Sequence, residues 1–264
     1  MNKWIQKSIE IANGQGYLDR LQAVYPVTRE SSREIAPEVK ELIRDAYDRK
    51  DSEALVLRLL KLEKFPIKDP CVAFLRRGQH FLAYNPRTVE RIAQYLYAIG
   101  YEKIINGIEE PKEFNRQIGT LFRKWLKTLS YPFLQKDEFA NSEIGIAFLD
   151  GSDEELMRYA NDILGCDLVK GPDLLAKVGV HYVLGEAKFL TDYGGHQNAQ
   201  FEDALRLLAG NAGNVIRIAV LDGVVWIKGR AKMYRRVREL DKPILTALLL
   251  KDFLEELLKS ENLN

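Results

Sequence analysis

The spacing of apolar residues changes character once along the chain, and that change limits the folds open to it. Up to about Ser130 they recur at helical intervals. Val39, Leu42, Ile43 and Ala46, then Leu55, Leu59 and Leu60, mark a helical stretch from Pro37 to Phe65, which Asp51 and Ser52 break into two helices. Phe65 to Asn85 holds Pro66, Pro70 and Gly78 and reads as loop with a short extended piece. Asn85-Pro86 opens another helix, with Asn85 as its cap, and Gly100 closes it. Lys112 to Leu129 sets Phe114, Ile118, Leu121, Phe122, Trp125 and Leu129 on one side of a further helix, a core-facing stripe.

Beyond Ile144, short apolar runs alternate with helices. Ile144 to Leu149 is of strand type. Ser152 to Leu164 is a helix, because Ser152 and Glu155 form a capping box and Gly165 ends it. Asp173–Val178 and His181–Leu190 read as strands joined at Gly179. Gln197 to Leu208 is a helix. Val215–Leu221 and Val224–Lys228 read as a hairpin through Asp222-Gly223. Ile244 to Lys259 is a closing helix. The pattern predicts an α/β fold, a mixed sheet flanked by helices, with a mainly helical N-terminal portion. The composition shifts near residue 135.

Charge excludes little. The 264 residues carry 39 Lys and Arg against 38 Asp and Glu, a net +1. That is no polycation, but nucleic-acid binding needs only a local patch. Cys71 and Cys166 have no spacing of a disulfide framework or zinc ribbon. His80, His181 and His196 lack metal-ligand spacing. No Gly-x-Ser-x-Gly elbow and no phosphate-binding Gly-Lys-Ser/Thr loop is present. The first residues lack the apolar run of a signal peptide, and no stretch reaches roughly 18 apolar residues. A cytoplasmic protein with no membrane partner is expected.

Chemistry concentrates between Gly171 and Lys188. Side chains alternate along a strand, so Glu186 and Lys188 share a face. A hairpin can carry the carboxylate of Asp173, at the start of the preceding strand, next to Glu186. Two carboxylates supply the hard oxygen ligands that Mg²⁺ prefers. Their mutual repulsion in an apolar setting (Val180, Val183, Leu184, Phe189) is relieved by a cation. Lys188 would then orient the attacking water and offset charge on a phosphate. An acid two residues from a lysine is also a common solvated pair on a strand surface.

Pro172-Asp173 followed by Glu186-Ala-Lys188 resembles the PD-(D/E)xK nuclease signature. The wider segment Gly185–Phe201, with Gly194-Gly195 leading into a helix, is similar to type II restriction endonucleases of that superfamily. So is the upstream piece Phe148-Leu-Asp-Gly-Ser-Asp-Glu-Glu. The resemblance covers roughly residues 112–255. It implies a nuclease core at 111–264 behind a helical region at 1–110 that wraps DNA or forms a dimer. It also implies Mg²⁺-dependent cleavage of double-stranded DNA at a short sequence by a homodimer, with a companion DNA methyltransferase. Asp173 and Glu186 are then the metal ligands and Asp173, Glu186 and Lys188 the catalytic residues. An upstream acid would come from Glu113, Glu138 or Glu143. A repair or junction-resolving nuclease, or an inactive DNA-binding protein of the same fold, are the alternatives.

Three further groups suit DNA contact. Gly194, Gly195, His196, Gln197, Asn198 and Gln200 are either a plain turn into a helix or a loop approaching base edges and phosphates. Lys228 to Lys242 carries seven cations, among them Arg230, Arg235 and Arg236, against two acids; it is either a solvated surface or a phosphate-binding flank. Arg76-Arg77, near Gln79, His80, Tyr84 and Asn85, is a second basic candidate.

Overall fold

The computed structural model describes residues 1–26, 34–110, 117–143, 145–210 and 213–261. The chain opens with α1 (Lys3–Ala12) and α2 (Tyr17–Val24). Six helices follow: α3 (Pro37–Asp48), α4 (Ser52–Leu60), α5 (Val72–Leu75), α6 (His80–Tyr84), α7 (Pro86–Ile99) and α8 (Tyr101–Glu109). Then come α9 (Ile118–Leu126), β1 (Phe133–Leu134), α10 (Lys136–Asn141), β2 (Ile146–Leu149), α11 (Asp153–Asp162), β3 (Leu174–Val178) and β4 (His181–Leu190). The chain closes with α12 (Gly195–Leu207), β5 (Val215–Gly223), α13 (Lys232–Glu239), β6 (Ile244–Leu245) and α14 (Leu250–Glu261). Among the described residues, no helix is long and apolar enough to cross a membrane.

Contacts divide the chain into one unit of Met1–Val27 with Phe114–Asn264 and another of Thr28–Glu113. The second unit is helical. Its core gathers Ile43, Leu55, Leu59, Ile92, Leu96 and Ile104, all fully buried. Asp51 caps α4, accepting from the Ala54 amide at 3.0 Å. Gly100 ends α7 with φ of +89°. The stretch from Phe65 to Asn85 departs from expectation. It holds the short helices α5 and α6, because Val72, Leu75 and Leu82 turn inward at helical spacing between the prolines.

The first unit is built on a mixed six-stranded sheet in sequential order. β1 and β2 run parallel, β2–β3 and β3–β4 antiparallel, and β4–β5 and β5–β6 parallel. The sheet flanked by helices is the α/β architecture the sequence pattern predicts. Alternation decides its faces. Leu174, Ala176 and Val178 of β3 join the core that takes in α1, α2, α9 and α14. Leu175 and Leu184 point the other way and meet Phe139, Leu149, Leu156 and Tyr159. The capping box at Ser152 forms as expected. Residues 112–116 and Ile144, assigned from sequence to a helix and a strand, lie outside the described residues.

Two expected elements are corrected. Val215 to Lys228 is no hairpin: β5 runs through Asp222-Gly223, lies parallel to β4 and β6, and ends in a tight 3-10 turn over Val224–Trp226. Ile244-Leu245 is a strand before α14 rather than the start of a helix. The common cause is Asp222, which is fully buried and makes no solvent-facing turn. Its Oδ1 accepts from Tyr17 at 3.0 Å and from Thr246 Oγ1, and its Oδ2 from Tyr25 at 3.0 Å and the Ala247 amide at 3.2 Å. The Thr246 amide in turn donates to Ser8 Oγ at 3.0 Å. One carboxylate thus ties α2, β5 and the chain after β6 together, with α1 joined through Ser8.

Burial raises the Asp222 carboxyl from 3.8 to about 7, against the lowering pull of its four donors. A raised acid favours the protonated folded form. Its contribution to stability is full below pH about 4 and is lost as pH rises through about 7. Asp222→Ala strands three hydroxyls and an amide, each costing about 1–3 kcal/mol if left unpaired. Urea unfolding should show a loss of roughly 3 kcal/mol or more. A loss below roughly 1 kcal/mol would contradict this role.

Candidate active site

Asp173 stands immediately before β3, where the chain enters the sheet. Its amide donates to the Gly185 carbonyl at 2.9 Å. Its carboxylate Oδ2 accepts from the Ala187 amide at 2.8 Å. The side chain thereby fills the place on β4 that a neighbouring backbone carbonyl would hold, and it lies against the residue between Glu186 and Lys188. Its Oδ1 faces α9 at Gly119, where a Cβ would come within 3.0 Å. Gly119 is the second residue of α9, and its missing side chain makes room for the acid.

α9 also fixes the backbone around Asp173. Arg123 donates to the Asp173 carbonyl at 3.3 Å and the Pro172 carbonyl at 3.2 Å, and it pairs with Asp153 at the start of α11. One guanidinium therefore joins α9, α11 and the entry to β3. Its planar fork suits three acceptors at once.

Glu186 lies in mid-β4 and is only 3% exposed. Its Oε1 receives two ammonium groups, Lys188 and Lys170, each at 2.5 Å. Lys188 follows two positions later on the same strand, so the pleat brings its side chain beside Glu186. Lys170 comes from the irregular segment between α11 and β3. Burial of an unpaired carboxylate would be expensive, and the two lysines offset it.

The electrostatics follow from this crowding. Burial, then the charge of Glu186, raises Asp173 from 3.8 to about 6; Lys188, the Ala187 amide and Arg123 pull the other way. Burial by itself would lower Lys188, but the carboxylates of Glu186 and Asp173 outweigh it and leave its pKa raised above 10.5. Lys188 therefore carries its proton at neutral pH in the metal-free protein.

The two acids open on different hollows. Asp173 lines one of about 490 Å³, with Thr120, Arg123, Lys127, Asp150 and Asp153. Glu186 lines one of about 240 Å³, with Lys170, Asp203, Arg206 and Arg217. Among the described residues, no three His, Cys, Asp or Glu side chains gather into a metal-holding group. Asp173 and Glu186 are a pair. Glu138, on α10, and Glu143 are exposed and join neither acid. Glu113 lies outside the described residues. The donor set nevertheless fits a hard divalent ion. It offers two carboxylates whose charges oppose each other, and Mg²⁺ commonly takes one or two protein carboxylates and fills its remaining positions with water and phosphate oxygens.

The expected DNA-contact residues fall into distinct settings. Gly194, Gly195 and His196 are exposed where β4 leads into α12. Gln197 is buried, and its Oε1 accepts from the Thr191 amide at 3.2 Å, so it holds the loop together. Asn198 donates to the Tyr193 carbonyl at 3.0 Å, and Gln200 pairs with His196 at 3.0 Å. Arg230 is exposed before α13, and α13 presents Arg235 and Arg236 to solvent while Met233, Tyr234 and Val237 turn inward. In the helical unit Arg76 donates to the Leu62 carbonyl at 2.7 Å and the Glu63 carbonyl at 3.3 Å, which makes it a structural tie; Tyr84 is exposed.

Sequence reasoning missed Arg123, Gly119 and Lys170. Arg123 and Gly119 sit on the helix of which only the core-facing stripe was singled out. Lys170 lies only three residues before Asp173, and that closeness to the motif was the one available signal.

Compared with known families, residues 2–257 match the family model described as Tsp45I type II restriction enzyme. No curated protein matches the chain.

Asp173 binds its proton more tightly when folded, so its stabilising contribution is full below pH about 4 and is lost as pH rises through about 6. Asp173→Asn keeps an acceptor for Ala187 and removes the repulsion with Glu186. In chelator at pH 8 the variant should melt above the natural protein, on the order of 2–4 °C for each kcal/mol relieved. At pH 4 the difference should vanish. A variant that melts lower at pH 8 would contradict this electrostatic picture.

Proposed function

The chain belongs to the Tsp45I type II restriction enzyme family, and from that premise we propose that Asp173, Glu186 and Lys188 perform its cleavage of DNA. Membership makes the protein a site-specific endonuclease, a hydrolase of DNA within a restriction system, and type II restriction enzymes generally use a divalent metal. The observation that carries the reading is the hydrogen bond from the Ala187 amide to Asp173, which seats that carboxylate on the segment bearing Glu186 and Lys188.

Asp173 and Glu186 would hold the divalent ion, Mg²⁺ in this reading, through their carboxylate oxygens. Bound there, the ion supplies a Lewis acid and lowers the pKa of a coordinated water. Lys188 keeps its proton and donates to the attacking water and to the phosphate oxygens as their charge grows. Arg123 holds the Asp173 backbone still, and Gly119 leaves the carboxylate free of steric contact. The reaction breaks the P–O3′ bond of a phosphodiester as water adds to phosphorus. It leaves a 5′-phosphate and a 3′-hydroxyl.

DNA would be held by surfaces around this centre. The exposed Gly194-Gly195-His196 turn and the basic ridge of Arg230, Arg235 and Arg236 are the contacts we assign to it. Two strands must be cut, so we propose a two-fold homodimer with one centre per strand. A methyltransferase that modifies the same site would protect the host genome. Restriction is favoured over a repair or junction-resolving role, and over loss of activity, by the family match across nearly the whole chain.

Asp173→Ala, Glu186→Ala and Lys188→Ala should each reduce cleavage of plasmid DNA by about 10²-fold or more, the scale of losing one charge-stabilising group. The natural protein with Mg²⁺ should give discrete bands. A variant that cuts at the natural rate removes its residue from the mechanism. Cutting confined to branched or damaged DNA would favour the repair reading.

A further inference from the structure

Glu186 Oε1 holds two ammonium groups where one would serve. The two lysines are not equivalent. Lys188 is 22% exposed and fixed by the register of β4 against β5. Lys170 is 51% exposed and lies outside any helix or strand. Its segment is pinned on one side by Asn161, whose amide bonds both backbone groups of Leu168 at 2.9 Å. On the other side it is pinned at Gly171, where α11 leaves no room for a Cβ. Between these points Val169 and Lys170 project, and Val169 is 96% exposed. Lys170 can therefore leave Glu186 by rotating its own stem into solvent, whereas the Lys188 side chain is more enclosed.

We propose that Lys170 is a stand-in counter-ion: it neutralises Glu186 in the metal-free protein, yields that oxygen when a divalent cation binds, and then contacts a phosphate of the DNA. This inference rests on the reading of Glu186 as a metal ligand. Charge in the adjoining hollow supports it. Lys170, Arg206 and Arg217 line it with Asp167, Glu186 and Asp203, and Lys188 adds a fourth cation on Glu186, so the hollow has no spare negative charge. A divalent charge at Glu186 leaves it with a positive surplus. An ammonium expelled from such a place moves towards the nearest anion, and bound DNA presents phosphates.

The test is calorimetric titration of Mg²⁺ into the DNA-free protein. Lys170→Met removes the competitor, so Mg²⁺ should bind about two- to fivefold more tightly, the scale of one exposed ion pair. Lys170→Arg keeps the charge and should restore the natural affinity. In cleavage assays on duplex DNA, Lys170→Met should lower the slope of log(kcat/KM) against log[salt] by about 0.9, the contribution of one phosphate contact. Glu186→Gln should lose Mg²⁺ binding. Unchanged affinity in Lys170→Met, with binding lost in Glu186→Gln, overturns the role of Lys170 alone. Natural affinity in Glu186→Gln overturns both this role and the metal site beneath it.

Discussion

A single hydrogen bond, from the Ala187 amide to the Asp173 carboxylate, fixes the geometry of the active site we propose. Strand ladders normally pair backbone with backbone. Here a side chain substitutes at the point where β3 begins, and the carboxylate is drawn onto β4 between an acid and a lysine. The surrounding features serve that placement. Gly119 gives the side chain space on α9, and Arg123 clamps the carbonyls of Pro172 and Asp173. In the function we propose, the flanking helices and the sheet order serve chiefly to hold this junction in register.

The second theme is the management of buried charge. Glu186 is buried and carries two lysines, while Asp173 is half-buried beside it and pushed towards its protonated form. A site in that condition holds its ligating atoms ready at the expense of its own stability, and a cation relieves the conflict. Asp222 solves a similar problem differently. It is sealed away and satisfied by four donors, and it organises the fold, whereas Asp173 and Glu186 are the acids we propose for the chemistry.

Much of this was legible in the chain. The two strands of the β3–β4 hairpin, the capping box at Ser152 and the α/β architecture follow from local pattern, because each is decided by neighbours in sequence. Asp173, Glu186 and Lys188 could be singled out because strand alternation and a tight turn are short-range geometry. What was hidden depended on distant partners. Asp222-Gly223 carries the local signature of a hairpin turn, yet Tyr17 and Tyr25, some 200 residues away, claim its carboxylate and keep the strand running. Arg123 looked like the polar back of an apolar helix, since nothing nearby in sequence points to the carbonyls it binds. Gln197 read as a group free to meet DNA, but it is spent on Thr191. Local rules cannot see such long-range hydrogen bonds.

The central claim is that Asp173 and Glu186 share one divalent ion despite opening on different hollows. Anomalous diffraction from crystals grown with Mn²⁺ and the DNA substrate tests it directly. The account predicts one strong peak bonded to an oxygen of each carboxylate, at about 2.1 Å, the distance typical of a small octahedral cation. A peak held by only one of the two acids, or one lodged elsewhere in the protein, would contradict it.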